Sequence, residues 1–388
     1  MNVALVIEGN SKVGGGYVFQ KNFVEKIKKG KHNYSIYSRS NDFLKTIKSD
    51  NIFLKTIKKE TYLDKLKKFL LHFDATFFLF KEITLNFEKQ LINDKIDLVC
   101  FLSPSFDSFY FNKLNYIINV WDNCHIEHPE FPEIRNNFEF EKREIFYNKV
   151  LKKSTSIIVD SDQTKKNLRK RYLINSSKIK VNNFKNVLSK NVEFDDTILS
   201  RINIESPYIY YPAQYWCHKN HIYIIDALKK LKKQKVNINV IFSGSDKGNL
   251  KSLKDYSIKN EVNNNIFFLG FLEEGEKNTL IKNALSIVIP SFFGPTNLPQ
   301  IEAAIIGTPA IVAKSTLWAK NENHGFKEVD LKDPNELVKV LIDLLKNKNL
   351  RKQMIRQSNH EINKPGYGIL NLLEDCIDEF NLKMKLFK

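Results

Sequence analysis

The chain has 388 residues, of which 42% are apolar, and a formal net charge of +17. That length holds two ordinary domains with real cores, and that apolar share excludes a disordered chain. The charge fits attraction to polyanions or to an anionic membrane surface, and equally a solvated lysine-rich surface.

In chain order, Val3–Ile7 reads as a strand, Tyr17–Lys29 as a helix and Tyr34–Ser38 as a strand. Between the first two lies Gly14-Gly15-Gly16, which lets backbone approach a phosphate or an acceptor group, or serves as a plain turn. It lacks the GxGxxG spacing of dinucleotide binders. Phe69–Phe80 is aromatic and flanked by Lys67, Lys68 and Lys81. It fits a membrane surface with lysines at head-group level, or a buried helix or strand pair. Asp97–Leu102, Tyr116–Trp121 and Ser156–Asp160 are further apolar strands, with the amphipathic Asn137–Lys153 among them. Trp121–Glu133 follows a strand and gathers two histidines and several carboxylates, a polar site loop rather than a metal site. Lys165–Lys190 holds nine Lys or Arg and no acid, fit for anionic lipid or for solvent. Asn182–Ser206 is polar and aperiodic, an expected linker.

A second alternating series follows, with strands at Tyr208–Pro212, Asn239–Ser243, Ile266–Leu269, Ile287–Pro290 and Ala310–Ala313. Asp333-Pro334 caps a helix to about Lys346, and Leu370–Lys388 reads as helical. The pattern is α/β, two parallel sheets with helices on both faces. Domain one is expected over 1–190 with the terminal helix 368–388, and domain two over 205–365. Ligands of such sheets bind at the carboxyl ends of the strands, so the expected site is the cleft between two such domains.

The chemistry concentrates in the second series. In SFFGPTNLPQIEAAIIGTPA, Asn297 precedes a helix with Pro299 in its first turn, and Gly307-Thr308-Pro309 ends it. The loop Thr296–Leu298 aims backbone N–H groups and a helix dipole at one point, an anion site. Glu302 on the same helix, otherwise apolar, is awkward without a partner and could hold sugar hydroxyls. A phosphate beside a diol points to a nucleotide sugar. In YIYYPAQYWCHKNH, Lys219 stands at a helix entrance, where a phosphate favours lysine more than the dipole does. Gly244-Ser245-Asp246 follows a strand and either lines the donor site or is an ordinary turn.

Lys219, Pro290, Ser291, Leu298, Pro299, Glu302 and Ala303 together resemble the family-4 retaining glycosyltransferases of GT-B fold. The resemblance spans the chain in length and element order, and its specific part lies in the C-terminal half. It implies two Rossmann-like domains, with the final helix crossing back to the first. It implies a metal-independent hexosyltransferase that uses no cofactor. The sugar would pass from a nucleoside-diphosphate sugar donor to a saccharide or lipid-linked acceptor in surface polysaccharide or lipopolysaccharide synthesis. Lys219 and the 296–298 amides would stabilise the leaving diphosphate. Asp122 and His125 match the family's His-Asp-Leu-x-His loop near the sugar, with Trp121 in place of the first His. Donor contacts are expected from Gly15, Gly16, Gln214, Gly244, Phe271, Thr296, Asn297, Leu298 and Glu302. Two positions depart from the family pattern: Gly294 stands where a Glu is usual and Gln214 where an Arg is usual. Altered sugar contacts at a live site are therefore expected, with donor preference shifting in Gly294→Glu.

Two other readings share the fold: a sugar-nucleotide epimerase and a non-catalytic nucleotide-sugar binder. Charge alone suggests nucleic acid, and no recognition motif accompanies it, so none is expected as a partner. Cys100, Cys124, Cys217 and Cys376 form no CxxC or Cys/His pattern, which speaks against structural zinc and for a reducing cytoplasm. No signal peptide is read at Met1–Ile7, and no run approaches the roughly 20 apolar residues of a span. The expected location is cytoplasmic, with peripheral attachment to the inner face of the cell membrane as a further expectation.

Overall fold

The computed structural model describes residues 1–8, 14–47, 52–71, 84–182, 188, 191–204, 207–294, 297–314, 324–364 and 366–387. It divides into two units. The first comprises Met1–Glu127, Asn137–Val187 and Tyr367–Lys388, and the second His128–Asn136 and Leu188–Gly366.

The first unit is built on a parallel sheet of β1 (Asn2–Ile7), β2 (Asn33–Ser38), β3 (Phe53–Thr56), β4 (Leu98–Phe101), β5 (Asn115–Val120), β6 (Ser156–Val159) and β7 (Ile179–Val181). The order is β3-β2-β1-β4-β5-β6-β7. Its central strands are apolar runs buried on both faces, as helices covering both sides of a sheet require. One face packs under the helix Gly14–Ile27 and the terminal helix Ile369–Leu386, whose Leu373, Cys376 and Ile377 join Phe23 and Ile36 in one core. The other face packs around Phe101, Tyr116, Tyr147 and Leu168.

The second unit carries β8 (Tyr208–Pro212), β9 (Asn239–Ser243), β10 (Ile266–Leu269), β11 (Ser286–Ile289), β12 (Ala310–Ala313) and β13 (Lys327–Val329). The order is β10-β9-β8-β11-β12-β13, again parallel. In each sheet the order reverses at one place, between β1 and β4 and between β8 and β11. Loops diverge there at the carboxyl ends of the strands and leave room for a ligand.

Three readings change. The expected linker contains a helix, Thr197–Ile202, whose Ile198 is fully buried in the second core, so most of the described part of that stretch belongs to unit two. The segment 128–136, expected with the first domain, packs with the second. Gly14-Gly15-Gly16 opens the first helix rather than preceding it. Of the aromatic segment Phe69–Phe80, residues 72–80 lie outside the described residues. In the basic run, Arg171 pairs with Glu144 and Lys180 with Glu379, while Lys165 and Lys178 bond backbone carbonyls. Among the described residues no helix is long and apolar enough to cross a membrane.

Candidate functional site

The reversal between β8 and β11 brings the two chemical motifs of the second unit together. After β8 the chain makes a 3₁₀ turn over Cys217–Lys219, and Asn220 then takes φ 55° before the helix His221–Lys233 begins. Left-handed backbone suits Asn far better than a branched residue, which accounts for the Asn after Lys219. After β11 the chain turns through Ser291–Gly294 and enters the helix Leu298–Ile306. The two turns are stitched by backbone: Phe292 N–H donates to the His218 carbonyl at 2.9 Å. The Ser291 hydroxyl, 1% exposed, closes its own turn by donating to Phe293 O at 2.6 Å. The Tyr211 hydroxyl donates to Lys219 O at 3.2 Å and fixes the lysine's backbone.

Lys219 reaches over Gly294. A Cβ on residue 294 would lie 3.9 Å from Lys219 Nζ and 3.1 Å from Asn297 Oδ1. Gly294 has φ 109°, a conformation in which any L side chain is strained. A glutamate there would carry that strain and set its carboxylate beside the lysine. The structure thus gives Gly294 a backbone reason as well as a chemical one.

Asn297 occupies the N-cap position but its side chain accepts nothing from the first turn. It is 7% exposed, and its Nδ2 has no partner among the described residues. The orphan N–H groups of a helix start are therefore not closed by this cap. Leu298 begins the helix, and Pro299 follows as a residue with no N–H to satisfy. Thr296 lies outside the described residues. Gln300, not singled out in the sequence, is fully buried in the same turn with neither amide atom partnered among the described residues. An ammonium, an unused amide and a helix start converge here. All three favour an anion.

Glu302 stands one turn further on, nearly buried. Its Oε1 takes Lys277 Nζ at 2.7 Å, with side chains 12% and 18% exposed. This is the partner the sequence required, supplied from the helix Glu274–Asn283. A carboxylate has two oxygens, so pairing through Oε1 does not exhaust it. Glu302→Gln is expected to weaken nucleoside-diphosphate binding several-fold with the melting temperature little changed, checked by calorimetry and thermal unfolding. Unchanged affinity would remove Glu302 from the site.

Around this centre, Gly244 follows β9 so close to the β8 loop that a Cβ would meet Ala213 O at 2.5 Å. Its N–H donates to Gly270 O at 3.0 Å, beside the half-exposed Phe271. Gln214 Oε1 accepts from the Trp216 indole at 2.9 Å, while its Nε2 is buried without a partner among the described residues. These residues and the Lys219 turn all follow the carboxyl ends of β8, β9 and β10.

In the first unit the reversal lies between β1 and β4. Glu8 follows β1, its backbone clamped by the Gln20 amide at 3.0 and 2.7 Å. The Ser105 hydroxyl donates to Glu8 Oε1 at 2.5 Å, and burial pushes the Glu8 carboxyl above its usual range. Arg39 and Lys68 both engage Asp107, at 2.6 and 3.1 Å. Gly16 is a packing glycine, since a Cβ there would lie 2.5 Å from the Trp121 ring; Gly15 beside it is exposed.

Asp122 is held by Arg143 at 2.9 Å and accepts from Cys124 N–H at 3.1 Å. His125, three residues on, has no exposed surface. Its Nε2 lies 2.8 Å from the Tyr172 hydroxyl, and its ring packs on Tyr147 and Phe140. Burial, with Arg143 second, pushes its pKa down to about 4. The structure thus places His125 in the packing of the first unit, Lys219 and Asn297 beside Gly294 in the second, and Leu298 and Glu302 on the helix that follows. Among the described residues no group of three or more His, Cys, Asp or Glu has the arrangement of a metal site.

Comparison with known proteins bears on the fold. Residues 197–361 match the family described as glycosyl transferases group 1. An uncharacterized glycosyltransferase, MJ1607, of Methanocaldococcus jannaschii is 22% identical over 167 residues, covering 42% of this chain and 42% of its own length. The match thus spans about two fifths of that relative. Among solved structures, Anabaena Alr3699/HepE in complex with UDP and glucose superposes with TM-score 0.70 at 13% identity, covering 98% of this chain and 100% of that one. WaaG, a glycosyltransferase involved in lipopolysaccharide biosynthesis, superposes with TM-score 0.65 at 14% identity, covering 97% and 99%. At such identities the likeness is one of fold. Residues 197–361 thus resemble the glycosyl transferases group 1 family, within a chain that has the GT-B fold.

Proposed function

We propose that the protein is a retaining, metal-independent glycosyltransferase that moves a sugar from a nucleoside-diphosphate sugar to a saccharide or lipid-linked acceptor. The observation that carries this reading is the convergence of Lys219 Nζ, Asn297 and the start of the helix Leu298–Ile306 around Gly294. As the bond between sugar C1 and the phosphate oxygen breaks, negative charge grows on the leaving diphosphate. Preorganised donors in a partly dehydrated site stabilise that charge more than they stabilise the ground state. The acceptor oxygen bonds C1 on the same face, and its proton passes to the departing phosphate oxygen. Glu302, with Lys277 on one oxygen, is assigned the donor ribose. Cell-surface polysaccharide or lipopolysaccharide synthesis is the proposed setting.

The test is a thermal-shift screen of UDP-, GDP- and ADP-sugars, followed by product analysis with saccharide and lipid-linked acceptors. A bound donor at 100 times its dissociation constant adds about 2.7 kcal/mol, readily seen as a raised melting temperature. The expected result is one stabilising nucleotide class and a product with the donor's anomeric configuration. Binding without turnover under every acceptor would mark a non-catalytic binder. A changed sugar nucleotide formed from donor alone would mark an epimerase. An inverted product would refute retention.

A further inference from the structure

We propose that Glu133 is a positioning residue for Lys219, acting through His218. The inference rests on reading the Gly294 turn as the diphosphate site. Glu133 lies in residues 128–136, which leave the first unit's sequence after Glu127, pack with the second unit, and return at Asn137. It sits on a single helical turn, Pro132–Arg135, with its side chain only 8% exposed. Its Oε1 accepts two bonds from one residue: the backbone N–H of His218 at 3.0 Å and the ring Nδ1 of the same histidine.

The rest of His218 is committed to the opposite turn. Its carbonyl accepts from Phe292 N–H, and its ring lies against Phe293 with centroids 4.1 Å apart at 31°. Phe131, two residues before Glu133, packs on Phe292 and on the His218 ring. His218 is therefore a rivet through three pieces of chain: the 128–136 segment, the 217–219 turn and the 291–294 turn. Lys219 is the next residue.

A three-residue 3₁₀ turn has little ladder of its own to resist rotation. Here it keeps Lys219 N–H to Trp216 O at 3.2 Å and Asn220 N–H to Cys217 O at 3.0 Å. The Glu133 carboxylate adds two bonds from the residue beside the lysine, of the charge-assisted kind that holds geometry best. Burial pushes the Glu133 carboxyl upward in pKa, and the His218 bonds more than reverse this, so it stays ionised at neutral pH. Both of these Glu133 bonds end on His218. The glutamate's effect passes through where Lys219 Nζ stands.

The experiment is a double-mutant cycle on the full chain, read as affinity for UDP, GDP and ADP by calorimetry. The variants are Glu133→Ala, Glu133→Gln, Lys219→Ala and Glu133→Ala/Lys219→Ala, each checked by thermal unfolding. Loss of a hydrogen bond from a charged group, passed on to the lysine's placement, should weaken binding about tenfold in Glu133→Ala. Glu133→Gln keeps a carbonyl for the His218 N–H and should recover most of that. The double variant should bind like Lys219→Ala alone, because a residue acting only through Lys219 has nothing left to position. If Glu133→Ala fails to fold, the same cycle run with Glu133→Met, which fills the same space and accepts neither bond from His218, decides the matter. A merely structural glutamate would lower the melting temperature while its effect on affinity stayed additive with Lys219→Ala, and that result overturns the proposal. So does undiminished affinity in folded Glu133→Ala. Failure of all three nucleotides to bind the unmutated protein removes the diphosphate reading itself, and this inference with it.

Discussion

Lys219→Ala should lower sugar transfer by about 100-fold or more, the loss seen when a preorganised donor to a developing anion is removed. The lysine is only half-buried, and the fold holds it by its backbone, through Tyr211 to its carbonyl and through the 217–219 turn. The variant should therefore unfold at nearly the wild-type temperature. The ammonium stands over Gly294, with the Asn297 amide and a helix start close by. Its loss would take a full positive charge away from beside the growing negative one. Because that charge is greater in the transition state than in the bound donor, kcat should fall more than donor affinity. Steady-state kinetics of the folded variant checks this. Turnover near wild type would remove Lys219 from the chemistry, and an effect confined to KM would make it a binding residue only.

Much of this site was legible in the sequence because its parts are local. A strand, a Gly-containing turn, an Asn cap position and a Pro in the first turn follow one another within Ser286–Pro299, and each has a backbone reason. Apolar runs placed β8 through β12 within a residue of where they lie. The strands that escaped notice are short and at or near sheet edges. β3 carries Phe53 at 74% exposed, and β7 and β13 have three residues each, too few for periodicity to register. The helix Thr197–Ile202 was hidden by its polar flanks, although the spacing of Ile198, Leu199 and Ile202 is helical. Long-range partners were out of reach altogether. Lys277 meets Glu302 across 25 residues and Glu133 meets His218 across 85, and nothing local announces either. His125 shows the opposite failure. A histidine in a polar-looking loop resembles a site residue, yet apolar neighbours on the helix Glu139–Lys153 enclose it.

The second large effect is a loss of stability in acid, centred on His221. This residue opens the helix after Lys219, is 1% exposed, and is walled by Tyr211, Tyr215 and Phe242 with ring centroids 4.9, 5.2 and 5.0 Å away. Burial, with the nearby Lys219 charge second, pushes its pKa down to about 3. His125 in the first unit is pushed to about 4 by burial and Arg143. Both are therefore neutral in the fold at pH 7. In the unfolded chain a histidine titrates near 6.5, so below that pH the unfolded state binds protons the native state refuses. The stability these residues contribute is whole above about pH 6.5 and is lost as pH falls toward the folded values. At pH 4.5, two units below the unfolded pKa, each costs about 3 kcal/mol, undiluted by solvent because both rings are buried. Against a total of roughly 5–15 kcal/mol for a domain, that is a large share. His221→Phe keeps an aromatic ring in the same pocket and removes the proton. Urea unfolding at pH 7 and pH 4.5 should show wild type losing about 3 kcal/mol more than the variant between the two. An equal loss in both would mean that His221 takes up its proton inside the fold, and that the acid sensitivity lies elsewhere.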